Sequence, residues 1–250
     1  MIKFFRHIRQ QMIKENRFSK YMLYAIGEIV LVVIGILIAI QLNEWRNDAI
    51  NNQKRDKVLQ ALHFEFQSNL AQMDTVQSYQ RRIVSDYPVV MNLIKTVDDL
   101  ANDSILFLAH NRMGTAWSFD PINGALRSAI SSGEIHLVEN ERLLDLLFSW
   151  QDVVNDSKEE SNRQREFQTE NLNLFKKHVR VGDLWAPYYP NTVLSHFPSD
   201  ARGLYKDELF EDYISLSYFM AHEYLIELDI IRANNLEILE LIENETVKLQ

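Results

Sequence analysis

Apolar positions change their spacing along this chain, and each spacing predicts a different element. Residues 21–42, "YMLYAIGEIVLVVIGILIAIQL", are almost continuously apolar, and residues 29–40 contain no polar side chain. As a helix, 22 residues rise about 33 Å, which matches a hydrocarbon core of about 30 Å. Tyr21, Tyr24 and Trp45 stand near its ends, where aromatic rings favour the membrane interface. The pattern predicts a transmembrane helix over 21–42. A buried core helix and a cleaved signal peptide are the alternatives. The run ends "IAIQ" without a small-x-small cleavage site, so an uncleaved anchor is expected. Glu28 is the exception within the run.

Before the run, Ile2, Phe5, Ile8 and Met12 recur at helical spacing between Lys3, Arg6 and Arg9. That predicts a basic amphipathic helix on the inner membrane surface over 1–20, with a disordered basic tail as the alternative. After the run, Leu59, Leu62, Phe66, Asn69/Leu70, Met73, Val76, Gln80 and Ile83 follow alternating steps of three and four. This heptad-like seam predicts a helix of about 40 residues that can continue from the span. Pro88 is expected to end it and to open a second helix, "PVVMNLIKTVDDL".

Further on, "HNRMGTAWSFDP" reads as a loop and "INGALRSAISSGEI" as a short helix stopped by Gly133. Asn140 is expected to cap a helix over about 141–178. Leu143, Leu144, Leu147, Trp150 and Val154 form its inner stripe, and its polar middle, "NDSKEESNRQREFQTEN", is expected to be solvated. The stretch "VGDLWAPYYPNTVLSHFPSDARGLY" is expected to pack as a cap on the bundle. A last helix from about Lys206 is expected to bury Leu209, Tyr213, Leu216, Met220, Tyr224, Ile231, Ile238 and Leu241. The fold class is all-α: one N-terminal transmembrane helix, then an elongated extracytoplasmic helical bundle over 43–250.

Composition supports this reading. Only 7 Gly and 5 Pro in 250 residues favour long helices. The absence of cysteine excludes disulfides and zinc–thiolate or iron–sulfur ligation. The net charge of −9 is divided: residues 1–20 carry +5, and residues 43–250 carry −13. So acidic a domain suits no nucleic acid, whereas the basic end suits an anionic bilayer. Six Lys/Arg precede the span, against Arg46, Lys54, Arg55 and Lys57 behind it, which predicts a cytoplasmic N-terminus.

Candidate chemistry is sparse. His222–Glu223 begins like a zinc-protease helix, but Ile226 stands where the second histidine belongs. The other histidines lack ligand spacing, and no phosphate loop or nucleophile elbow occurs. The pairs Asp98–Asp99, Glu159–Glu160 and Glu211–Asp212 read as solvated helix faces rather than catalytic dyads. Two aromatic stretches, "WSFDP" (117–121) and "LWAPYYP" (184–190), offer Trp117, Phe119, Trp185, Tyr188 and Tyr189 as a candidate ligand or partner loop, with simple packing as the alternative. In the span, Gly35 and Ala39 permit close approach of another helix, with Gly27 near the same face. Glu28 has three readings there: a carboxyl reaching the inner interface, a protonated acid bonded to a neighbouring helix, or a proton-coupled site.

The opening stretch, with "FSKYMLYAIGEIVLVVIGILIA" and then Asn43–Glu44–Trp45, resembles a family of uncharacterised bacterial single-span membrane proteins known as a domain of unknown function. The segment "SAISSGEIHLVENERLLDLLFSW" (128–150) is similar to that family's second recognisable stretch. The resemblance implies a single-span anchor with a helical outer domain, and no reaction.

The expected function is that of a membrane-anchored interaction or structural protein of the bacterial inner membrane. It would be a subunit of a cell-envelope assembly with no catalysis and no cofactor or metal. Its expected partners are the lipid bilayer and a membrane or envelope protein, or further copies of itself. The alternative is an extracytoplasmic sensory or ligand-binding module that signals through a partner.

Overall fold

The computed structural model describes residues 18–106, 109, 117–186, 189 and 191–247. The helix expected near the N-terminus therefore falls largely outside the described residues. Among those described, the chain is helical and without strands. Helix α1 spans Phe18–Lys95, α2 Gly124–Ser132, α3 Glu141–Glu170, α4 Leu172–His178, α5 Val181–Trp185, α6 Ala201–Tyr205 and α7 Glu208–Val247. Short 3-10 turns cover Val97–Asp99 and Glu134–Leu137.

The chain divides into two compact units between Asp56 and Lys57. In the first, α1 presents Leu23, Leu31, Ile36 and Leu37 largely exposed, each above half of its surface. An apolar surface of this extent is stable only when something other than water covers it. Among the described residues, α1 is the one helix long and apolar enough to cross a membrane.

The second unit is built on the rest of α1 with α3 and α7. The seam read from the sequence is the buried one: Leu59, Leu62, Phe66, Asn69, Met73, Val76, Gln80 and Ile83 are each at most 3% exposed. Helix α1 does not stop at Pro88 but runs through it to Lys95. A proline inside a helix forfeits one backbone hydrogen bond, at about 3 kcal/mol. The seam offsets that cost by holding its register on the far side, where Val90, Leu93 and Val97 are buried, and just before the proline Tyr87 stacks on Tyr218 at 4.4 Å.

Helices α3 and α7 repeat the same spacing. Leu143, Leu147, Trp150, Val154, Ser157, Ser161 and Gln164 are buried in α3. In α7 the heptad-spaced buried residues are Phe210, Ile214, Ser217, Ala221, Tyr224, Leu228, Ile231, Asn235, Ile238 and Ile242, with Tyr213, Leu239 and Glu245 buried beside them. Two expectations are corrected here. The middle of α3 is not wholly solvated, because its heptad positions stay inside although they are Ser and Gln. Leu209 and Leu216 face outward, at 57% and 45% exposure, because α7 carries two apolar stripes and only one faces the bundle.

These seams enclose two apolar cores. The first joins Leu59, Leu62, Phe66 and Met73 to Leu143, Trp150, Tyr224 and Ile231, with α2 packed on it through Leu126 and Ala129. The second joins Ile83, Val90 and Leu93 to Phe175, Leu204, Tyr205, Phe210 and Tyr213. Between them lies a polar belt. Gln80 and Gln164 exchange amide hydrogen bonds at 3.1 and 3.2 Å, and Gln164 also donates to the Met220 carbonyl. Gln77 donates to Asp229 at 2.8 Å.

Local signals ended the smaller elements as expected. Gly133 takes φ 74°, and its N–H donates to the Ile130 carbonyl, closing α2. Asn140 Oδ1 accepts from the Leu143 N–H at the start of α3. The region after α4 packs only in part. Leu184, Ala201, Leu204 and Tyr205 enter the second core, whereas Val193, Leu194 and Phe197 stand exposed.

Candidate functional site

Two groups of residues come forward, one in each unit. On α1, a rotation of about 100° per residue puts Gly35 and Ala39 within about 20° of Glu28 on the helix circumference. Gly27 lies about 100° away from that line. A methyl group added at Gly27 or Gly35 would meet nothing within 4 Å, so this chain's own packing does not require either glycine. The smallness of Gly35 and Ala39 provides a place where a second helix backbone can come near, whereas Gly27, expected near the same face, is turned away from it by helical geometry.

In the bundle, the aromatic candidates separate. Phe119 is buried in the first core, and its N–H donates to the Tyr224 hydroxyl at 2.9 Å. Burial raises the Tyr224 phenol above its ordinary pKa, so this hydroxyl stays neutral while it accepts. Trp117 stacks flat on Tyr79 at 4.4 Å, and the Arg82 guanidinium lies 4.8 Å from the same Tyr79 ring. Trp185 and Tyr189 contact each other edge to face at 6.1 Å, beside Leu184 of the second core. Tyr188 lies outside the described residues. The two stretches are thus anchored in different cores. A cavity of about 10 Å³, lined by Ile83, Gln164, Phe167, Gln168, Ser217 and Met220, has room for about one water molecule. Among the described residues, no cluster of three or more His, Asp or Glu is arranged to hold a metal ion.

The polar residues that fix the bundle were not legible as such. Glu65, on α1 and only 4% exposed, accepts the N–H groups of Ala125 at 2.6 Å and Leu126 at 3.1 Å. These are free donors at the first turn of α2, so Glu65 caps a helix 60 residues away. One turn on, the Asn69 amide donates to the Ile122 carbonyl and accepts its N–H, both at 2.8 Å. Together they clamp the 120–126 segment to α1. Arg202 does similar work at the second core. It bonds Asp103 at 2.7 Å, the Val97 carbonyl at 2.9 Å and the Leu100 carbonyl.

Asp207 opens α7. Its side chain accepts from Lys177 and His178, each at 2.8 Å, and from the Leu209 N–H. The bonds from Lys177, then His178, hold its carboxyl at about 2, below the ordinary 3.8. A carboxyl more acidic in the folded than in the unfolded chain contributes stability above pH about 4, and that contribution fades as pH falls through about 2. Asp207→Asn is therefore expected to flatten the acid limb between pH about 4 and 2 in urea-unfolding midpoints. Parallel acid limbs for the two proteins would refute this assignment.

The model of a family of unknown function (DUF6090) matches residues 28–149, a little under half of the chain. The matched span begins at Glu28, takes in the rest of α1, the segment clamped by Glu65 and Asn69, and α2, and ends in α3. No curated protein and no solved structure matches the chain.

Proposed function

With residues 28–149 matched to a family of unknown function, we propose that this chain is a membrane-anchored interaction protein. It works by holding a partner rather than by catalysis. In this reading α1 crosses the bilayer once, with its basic N-terminus in the cytoplasm and the acidic bundle on the other side. The observation that carries the proposal is the placement of Glu28 on one helix line with Gly35 and Ala39, inside the apolar run. A carboxyl in hydrocarbon costs about 2.5–3.5 kcal/mol at the helix centre. A neighbouring helix that packs against the small residues on this line shields the carboxyl from lipid and recovers part of that cost. The sensory reading has less support, because Phe119 is buried in the first core while Trp185 and Tyr189 stand exposed beside Leu184 of the second, and the cavity described between α1, α3 and α7 is the size of water.

Extraction in mild detergent tests this. The wild-type chain is expected to purify with a fixed partner or as a defined oligomer. Glu28→Ala is expected to stay in the membrane and to weaken that association about 3- to 30-fold, the range for an interhelical hydrogen bond of about 0.6–2 kcal/mol. A monodisperse wild-type monomer, or an unchanged complex with Glu28→Ala, would contradict the proposal.

A further inference from the structure

The outward stripe of α7 has no use inside the bundle. Leu216, Phe219, Glu223, Ile226, Ile230 and Ala233 recur at alternating steps of three and four, on the side of α7 opposite its buried seam. Leu216, Phe219, Ile226 and Ile230 are between 45% and 58% exposed. Scattered apolar residues on a surface mean little, but a heptad-spaced row of four on one helix is a second packing seam. Its charges are one-sided. Between Lys206 and Arg232 the helix carries six acids, Glu208, Glu211, Asp212, Glu223, Glu227 and Asp229, and no Lys or Arg. Asp229 is spent on Gln77 and Arg81 of α1. Glu208, Asp212 and Glu223 are exposed, and they lie with Glu227 along the outward row.

We infer that this face of α7 docks an amphipathic helix of a partner protein whose apolar seam is flanked by Lys and Arg. The inference deepens the interaction reading and rests on it. Charge complementarity selects the occupant. A second copy related by a two-fold axis would bring the same acids against one another, which is unfavourable by like-charge repulsion. A cationic helix brings opposite charges to the flanks while its apolar residues cover the row.

The test uses the full chain in detergent and two labelled synthetic 21-residue helices. Both carry one Leu/Ile heptad seam; one is flanked by Lys/Arg and the other by Glu. Fluorescence anisotropy is expected to show binding of the Lys/Arg peptide only. Phe219→Asp with Ile226→Asp is expected to weaken it at least tenfold, although it adds negative charge. General attraction to an acidic protein predicts the opposite change. Glu223→Lys with Glu227→Lys keeps the apolar row and is expected to exchange the preference of the two peptides. Equal binding of both peptides, binding of neither, or unchanged binding to Phe219→Asp/Ile226→Asp overturns the inference. So does a concentration-dependent dimer abolished by that variant, which assigns the face to a second copy. If these arms fail while the Glu28-dependent complex persists, the docking face is wrong and the anchored interaction protein stands.

Discussion

Placing arginines at Val32 and Ile36 together is expected to remove the chain from the carbonate-resistant membrane fraction. Residues 29–40 contain ten Ile, Leu or Val side chains. At about −0.3 to −0.6 kcal/mol each, they supply about −3 to −6 kcal/mol of insertion free energy. Two central arginines add about 5–7 kcal/mol and remove two apolar contributions, so the sum becomes unfavourable. The same double substitution at Phe64 and Val89, which are exposed on the bundle part of α1, is expected to leave fractionation unchanged. Retention of Val32→Arg/Ile36→Arg in the membrane pellet would show that the apolar run is not what anchors the chain.

The second large effect is expected at Glu65. Glu65→Ala leaves the Ala125 and Leu126 N–H groups without an acceptor at a partly buried helix start. Hydrogen bonds to a charged group contribute about 1.5–3 kcal/mol each, and the two are not additive because they share one carboxylate. A total loss of about 3 kcal/mol is expected, or about 6–12 °C in melting temperature for a domain of this size. Glu65→Gln keeps one acceptor oxygen and is expected to lose about half as much. Differential scanning calorimetry in detergent reads both. A Glu65→Ala protein that melts within 2 °C or so of wild type would remove the clamp from the account.

How much of this was legible depends on the kind of signal. The α1 seam was readable residue by residue, because a strict three-four spacing persists even where Asn69 and Gln80 take core positions. The caps at Gly133 and Asn140 were readable because both act within a few residues of themselves. The helix through Pro88 was not, because the local cost of proline is overruled by packing of Tyr87, Val90 and Leu93 that sequence-local rules do not see. The buried face of α7 was read as a mixture of two stripes. Leu209 and Leu216 are as apolar as Ile214 and Leu228, and composition alone cannot say which stripe meets the bundle. In α3 the signal existed in another form. Ser157, Ser161 and Gln164 continue the Leu143–Leu147–Trp150–Val154 spacing, so the period survives where the hydrophobicity lapses.

The candidate sites divide along the same line. Glu28 with Gly35 and Ala39 could be placed on one face from helical geometry alone. The bonds of Glu65, Asn69 and Arg202 could not, although the seam position of Asn69 could, since their partners lie 53 to 105 residues away and nothing in the spacing of the sequence announces those partners. The polar belt of Gln77, Gln80 and Gln164 belongs with these. Polar groups at core positions lower stability but penalise a slip in register, since a shifted helix would leave buried amides unpaired.

The claim at the centre of the account is that one face of the span meets another protein. The chain has no cysteine, so single introduced cysteines report without background. The most direct measurement places a thiol-linked photo-crosslinker at position 35 or 39, on the Glu28 line, and at Val30 or Leu37, about opposite it, and irradiates intact membranes. The account predicts a crosslinked product of one fixed mass from Gly35→Cys and Ala39→Cys, lost in the Glu28→Ala background, and none from Val30→Cys or Leu37→Cys. Equal products from all four positions, or none from any, would contradict it.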